Sequence, residues 1–161
     1  MIWVTADQHF GHRNIIEYCN RPFTALDGMH NAIIDNYNKL VQHNDTVYFL
    51  GDLAFYDNPI FYLNKMHGHK IYIKGNHDVR HPFKYAPDVC IVFRGGKTIQ
   101  MTHDPKHLAQ GYDINLCGHV HEKWTTQQML MTQTKALNVG VDVWKFKPVA
   151  LDWIIKHWDK I

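Results

Sequence analysis

Apolar residues in this chain come in short runs that stop abruptly at polar or glycine positions. Residues 2–6, 45–50 and 70–73 are rich in β-branched and aromatic side chains, which predicts three strands. Between the first two runs, Met29, Ile33, Tyr37, Leu40 and Val41 recur at three- and four-residue steps. That spacing predicts an amphipathic helix over residues 28–41, begun after Asp27 and lying on a sheet. A second helix is predicted over 59–66 and a short one around 14–18. Strand, helix, strand, helix, strand in this order implies βαβ units with right-handed crossovers. In the second half, runs at 89–93 and 98–101 flank Arg94-Gly95-Gly96-Lys97, the pattern of a hairpin. Further strands are predicted at 114–117 and 137–141, and Leu151, Ile154, Ile155 and Trp158 mark a final helix after Pro148. The Gln/Thr/Met-rich segment 125–135 reads as a loop plus a strand. No repeat or linker interrupts residues 1–161, which read as a single α/β domain of two packed sheets with helices outside.

The polar residues that end the runs share one character. They are Asp7-Gln8-His9, Gly51-Asp52, Gly75-Asn76-His77-Asp78, His103-Asp104 and Gly118-His119-Val120-His121. In α/β sheets, ligands bind outside the carboxyl ends of the strands, so five such ends converge on one rim. Any one fragment alone is compatible with a polar turn or a helix cap. Together they offer carboxylates, imidazoles and an amide oxygen in a number too large for one tetrahedral zinc ion. The set suits two ions sharing a bridging carboxylate. Oxygen and nitrogen donors without thiolate favour manganese, with iron, zinc or nickel as alternatives, over calcium or copper(I).

Composition narrows the picture. The chain has 13 histidines but only 3 cysteines, odd in number and without a C-x-x-C pair, which argues against a disulfide framework and fits a reducing cytoplasm. A net charge of +2 gives no basis for a stable nucleic-acid partner or a membrane surface. The start lacks the pattern of a signal peptide, and no run approaches the roughly 18 apolar residues of a membrane span. The oligomeric state is not legible.

The order D-x-H, G-D, G-N-H-D, H, G-H-x-H resembles that of the calcineurin-like metallophosphoesterase superfamily, over residues 2 to about 158. The loop Asp7-Gln8-His9-Phe10-Gly11-His12-Arg13-Asn14-Ile15-Ile16 and the segment Asn138-Val139-Gly140-Val141-Asp142-Val143-Trp144 are similar to those of small bacterial and phage-encoded members. The resemblance implies a four-layer fold, a β-sandwich flanked by helices, with the metal site at one edge. It implies that Asp7, His9 and His121 take one divalent ion, that Asn76, His103 and His119 take the other, and that Asp52 bridges them. It further implies a metal-bridging hydroxide as nucleophile, with His77 as the general acid beside the scissile phosphate and Asp78 as its orienting partner.

Many members carry an arginine shortly after the G-D motif, and this chain has none there. His12, Arg13 and Arg80 are then the candidates for holding phosphate. The reaction expected is hydrolysis of a phosphate ester, a nucleotide-type phosphodiester above all. Tyr18, Phe23, Phe55, Tyr56 and Trp124 lie in segments able to reach the rim and stack a base. The alternatives are a phosphomonoesterase or protein phosphatase and, from a different class, a non-catalytic binding module on the same fold.

Overall fold

Alternation along the first strands explains why two cores form rather than one. In β2 (Thr46–Leu50), Val47 and Phe49 point to one face and Tyr48 and Leu50 to the other, and all four are buried. Both faces of this sheet are therefore covered. The computed structural model describes residues 1–55, 57–79 and 82–161.

The first sheet has the order β3-β2-β1-β9. β1 (Ile2–Thr5), β2 and β3 (His69–Ile73) run parallel, and the two-residue β9 (Val149–Ala150) pairs antiparallel to β1. On one face lie α1 (Ile15–Tyr18), α2 (Leu26–Asn38) and α3 (Pro59–Leu63). Met29, Ile33 and Tyr37 of α2 and Tyr62 of α3 bury there against Trp3, Val47 and Phe49. Helix α2 begins before Asp27, which sits in its first turn where a carboxylate suits the helix dipole.

The other face packs on a second sheet of order β4-β5-β6-β8-β7. Its strands are β4 (Val89–Arg94), β5 (Lys97–Thr102), β6 (Ile114–Cys117), β7 (Thr126–Met129) and β8 (Thr134–Asn138). Val4, Leu50 and Ile73 meet Ile99, Met101, Ile114, Leu116 and Leu137 in the core between the sheets, where α4 (Leu151–His157) also places Leu151 and Ile154. The fold is thus two packed sheets flanked by helices. Among the described residues, no helix is long and apolar enough to cross a membrane.

The predicted hairpin is present, with Gly95 and Gly96 at φ 58° and 74° as a two-residue turn between twisted strands requires. Segment 125–135 holds more strand than its composition suggests, because β7 and β8 form an antiparallel pair across it. The strand predicted at 137–141 accordingly begins earlier and ends at Asn138. Beyond it the chain crosses to the first sheet, where Gly140 bridges Ala6 and the Val141 amide donates to the Ala6 carbonyl at 3.0 Å. That crossing ties together the rims of the two sheets.

Candidate metal centre

The loops leaving β1, β2, β3, β5 and β6 meet at this rim, and their backbones are unusual. Asp7, His9, Asp52, His119 and His121 all have left-handed φ, at 62°, 54°, 53°, 71° and 49°. Such a conformation costs on the order of 1–3 kcal/mol for a residue with a Cβ and persists only where its surroundings enforce it. Here they do. The amides of Asp7 and His9 donate to the carbonyls of Gly51 and Asp52 at 3.1 and 3.0 Å, and Gly118 donates to the His103 carbonyl at 2.9 Å. The packing leaves no slack: a Cβ on Gly51 would stand 2.6 Å from His103 Nδ1, and one on Gly140 would stand 2.7 Å from Asp7 Oδ2.

All seven residues expected as ligands lie together. Asn76 Oδ1 is 2.9 Å from His103 Nε2 and 3.0 Å from His119 Nδ1. Asp7, His9 and His121 form one group able to hold a metal ion, and Asp7, Asp52 and His103 form another. Asp7 belongs to both groups, and Asp52 Oδ2 lies 3.5 Å from His9 Nε2 and 3.3 Å from His103 Nε2, while its Oδ1 accepts from the His77 amide at 2.9 Å. Asp7, His9, Asp52 and His103 are buried. The rings are set from behind. His103 Nδ1 contacts the Leu50 carbonyl at 2.7 Å, which leaves Nε2 facing the site.

The donor set fits a cation. Buried polar atoms are normally hydrogen-bonded, yet among the described residues Asp7 Oδ1 and His9 Nε2 are buried without a hydrogen-bond partner. Burial pushes the Asp7 carboxyl up to about 6 against the pull of His103 and His121, and pushes the His9 imidazole well down in spite of Asp52. Burial would also lower His103, but the hydrogen bond it donates to Asp52 and the charges of Asp7 and Asp52 outweigh it and raise that group.

Two residues that the sequence did not single out complete the support. Arg21 Nε and Nη2 donate to both carboxylate oxygens of Asp142, at 2.7 and 2.9 Å, and Asp142 Oδ2 lies 3.0 Å from His121 Nδ1. Arg21 also donates to the carbonyls of Asp7 and Gln8, at 2.7 and 2.9 Å. One buried guanidinium thereby joins the first loop to the last, and Asp142 orients His121. Burial tends to raise the Asp142 carboxyl, but His121 and Arg21 outweigh it and hold it below its ordinary value.

The remaining expected residues sort differently. His77 stands at the edge of the cluster, its side chain 39% exposed and its Nε2 4.0 Å from Asp52 Oδ2. Asp78 corrects the expectation of an orienting partner: its Oδ2 accepts from the amides of Asp52 and Gly75, at 2.7 and 2.8 Å, so it fixes two loop backbones instead of the His77 ring. Asp78 is buried, and burial raises its carboxyl to about 6. His12 is buried beside the site, its Nδ1 3.3 Å from that of His9. Arg13 is exposed, and Arg80 lies outside the described residues, as does Tyr56. A cavity of 460 Å³ opens beside His9, His77 and His121, with Phe55 and Tyr18 in its walls and Lys123 bringing a cation that sequence reasoning overlooked. Phe23 and Trp124 are elsewhere, Phe23 against Phe146 and Trp124 against the Leu108 cluster.

Two packed sheets flanked by helices are the architecture of the calcineurin-like metallophosphoesterase fold. The chain matches no protein-family model. It is 34% identical to the uncharacterized protein MJ1445 of Methanocaldococcus jannaschii, over 99% of this chain and 92% of that one. AQ665, a protein of unknown function from Aquifex aeolicus, has a crystal structure that superimposes with a TM-score of 0.76 at 26% identity, covering 97% of this chain and 98% of that one. Vps29 of Chaetomium thermophilum shares the fold at a TM-score of 0.51 and 12% identity, covering 85% of this chain and 69% of that one. The chain belongs to one family with MJ1445, and its fold is the calcineurin-like metallophosphoesterase fold.

Proposed function

We propose that the protein is a metal-dependent phosphodiesterase acting on nucleotide-type diesters. The observation that supports this most is the cradle itself: seven donor side chains from five loops, several in strained backbone, with buried donor atoms left unpartnered. Asp7, His9 and His121 would hold one divalent ion and Asn76, His103 and His119 the other, with Asp52 shared and manganese the best match to the donors. When bound, such ions supply Lewis acidity, lowering the pKa of water and neutralising charge on phosphoryl oxygens.

The chain's own groups account for the rest. The His77 imidazole stands at the mouth of the site, where it can pass a proton from Nε2 to the leaving oxygen. Its backbone is held by Asp52 Oδ1, and Asp78 fixes the loop that carries it. Lys123 and His12 face the adjoining cavity and are the described groups best placed to meet a phosphate-bearing ligand. That cavity opens to solvent, which suits an ester substituted on both sides.

The test is to strip the purified protein of metal, reload it with manganese, and assay bis- and mono-nitrophenyl phosphate in parallel. Diester turnover well above monoester turnover is expected. A monoester preference would move the reading to a phosphatase, and two bound metals without turnover would make the protein a binding module.

A further inference from the structure

The cavity beside the candidate metal centre has an aromatic wall that phosphoryl transfer does not require. Phe55 stacks on His12 with ring centroids 4.2 Å apart and planes 13° from parallel. The same Phe55 stands edge-on to His77 at 4.7 Å, so one ring adjoins both the proposed acid and the cavity. Tyr18 continues the wall, tilted 79° to His12 at 6.1 Å, and is 66% exposed in spite of its size. Ile15 is buried there and gives the lining a further apolar contact.

From this arrangement we infer that the cavity is a subsite for a nucleobase, joined to the phosphate site through His9, His77 and His121. The phosphate end rests on the phosphodiesterase reading; the base end rests on the aromatic wall. Three features favour a flat heteroaromatic ring over an alkyl chain. Aromatic faces and edges reward an offset or edge-on ring in a way that aliphatic groups do not match. A volume of 460 Å³ holds a nucleoside, whereas a lipid chain would need a long channel. Glu122 also lines the cavity and supplies an acceptor for the amino edge of a base. Tyr18 and Phe55 thus become specificity-determining residues, and their contacts reach the substrate away from the bond that breaks.

The test compares two ligands that differ only in the base, AMP and ribose 5-phosphate, by titration calorimetry on the manganese-loaded protein. Base–aromatic stacking predicts that AMP binds about 5- to 100-fold more tightly. Tyr18→Ala, at an exposed position, should reduce that advantage while leaving ribose 5-phosphate binding as it was, and Phe55→Ala should reduce the advantage as well. Equal affinities for the two ligands in wild type would overturn the subsite, as would an AMP advantage untouched by both substitutions. The readout does not depend on turnover. An AMP advantage in a protein that hydrolyses no diester would sink the phosphodiesterase reading and keep the subsite; diester hydrolysis without an AMP advantage would do the reverse.

Discussion

The cradle and the cavity share a border of three histidines yet are built on opposite principles. In the cradle, Asp7, Asp52 and His103 are nearly inaccessible, and the loops that carry them are fixed by backbone hydrogen bonds, by Asp78 and by Arg21. In the cavity, Tyr18 and His77 are substantially exposed, and the walls are held by ring contacts. The difference suits what each is proposed to bind. A cation needs donors set to within tenths of an ångström, with second contacts that fix each ring. A base needs a flat surface that it can slide onto, and tolerates looser walls. Strain is therefore stored in the cradle and absent from Tyr18, Phe55 and Lys123, none of which has positive φ.

Substitutions should separate the two regions. Asp52→Asn keeps an oxygen for the His77 amide but removes the shared charge, and should abolish both manganese retention and diester turnover. Metal analysis beside initial rates checks this; retention of two ions would place the shared ligand elsewhere. His77→Ala should lower kcat by about 10²- to 10⁴-fold, the usual range for a positioned proton donor, with metal content unchanged. Equal losses of metal and activity would make His77 a ligand. Asp142→Asn leaves one acceptor oxygen where there were two, so both Arg21 bonds and the His121 contact cannot all be kept, and should weaken manganese binding by about 10- to 100-fold. Calorimetric titration at matched Tm is the measurement, and unaltered affinity would reduce Asp142 to an Arg21 partner.

The smallest effect is predicted far from both regions, at the start of β2. The Asp45 carboxyl is held down to about 2 by the Gln42 amide, the Met1 amino group and the Trp3 indole. A carboxyl depressed on folding stabilises the protein above its unfolded pKa and loses that contribution as pH falls through the folded one. The Tm difference between wild type and Asp45→Asn should be full above about pH 5 and shrink toward pH 2. A difference independent of pH would show that the carboxylate charge contributes nothing.

Much of this was legible in the sequence, for a physical reason. A buried strand must end where a loop can carry polar groups, so the candidate ligands sit directly after apolar runs and announce themselves in order. Helix α2 and the β4–β5 hairpin were legible because periodicity and the Gly95-Gly96 turn act locally. What was hidden depends on distance or brevity. Arg21 and Asp142 are separated by 121 residues, and no local pattern pairs them. Two-residue β9 is shorter than any periodicity, and the polar β7 lacks an apolar alternation to betray it. Asp78 misled because adjacency to His77 suggests a partner, whereas the turn aims its carboxylate at backbone amides.

The most direct test counts metal against turnover. The metal-free protein would be titrated with manganese while bound ions per chain and bis-nitrophenyl phosphate hydrolysis are followed together. Two ions per chain, with turnover rising as the second is taken up, is the predicted result. A folded protein that takes up no manganese, or one that hydrolyses the diester equally well in excess chelator, would contradict the account.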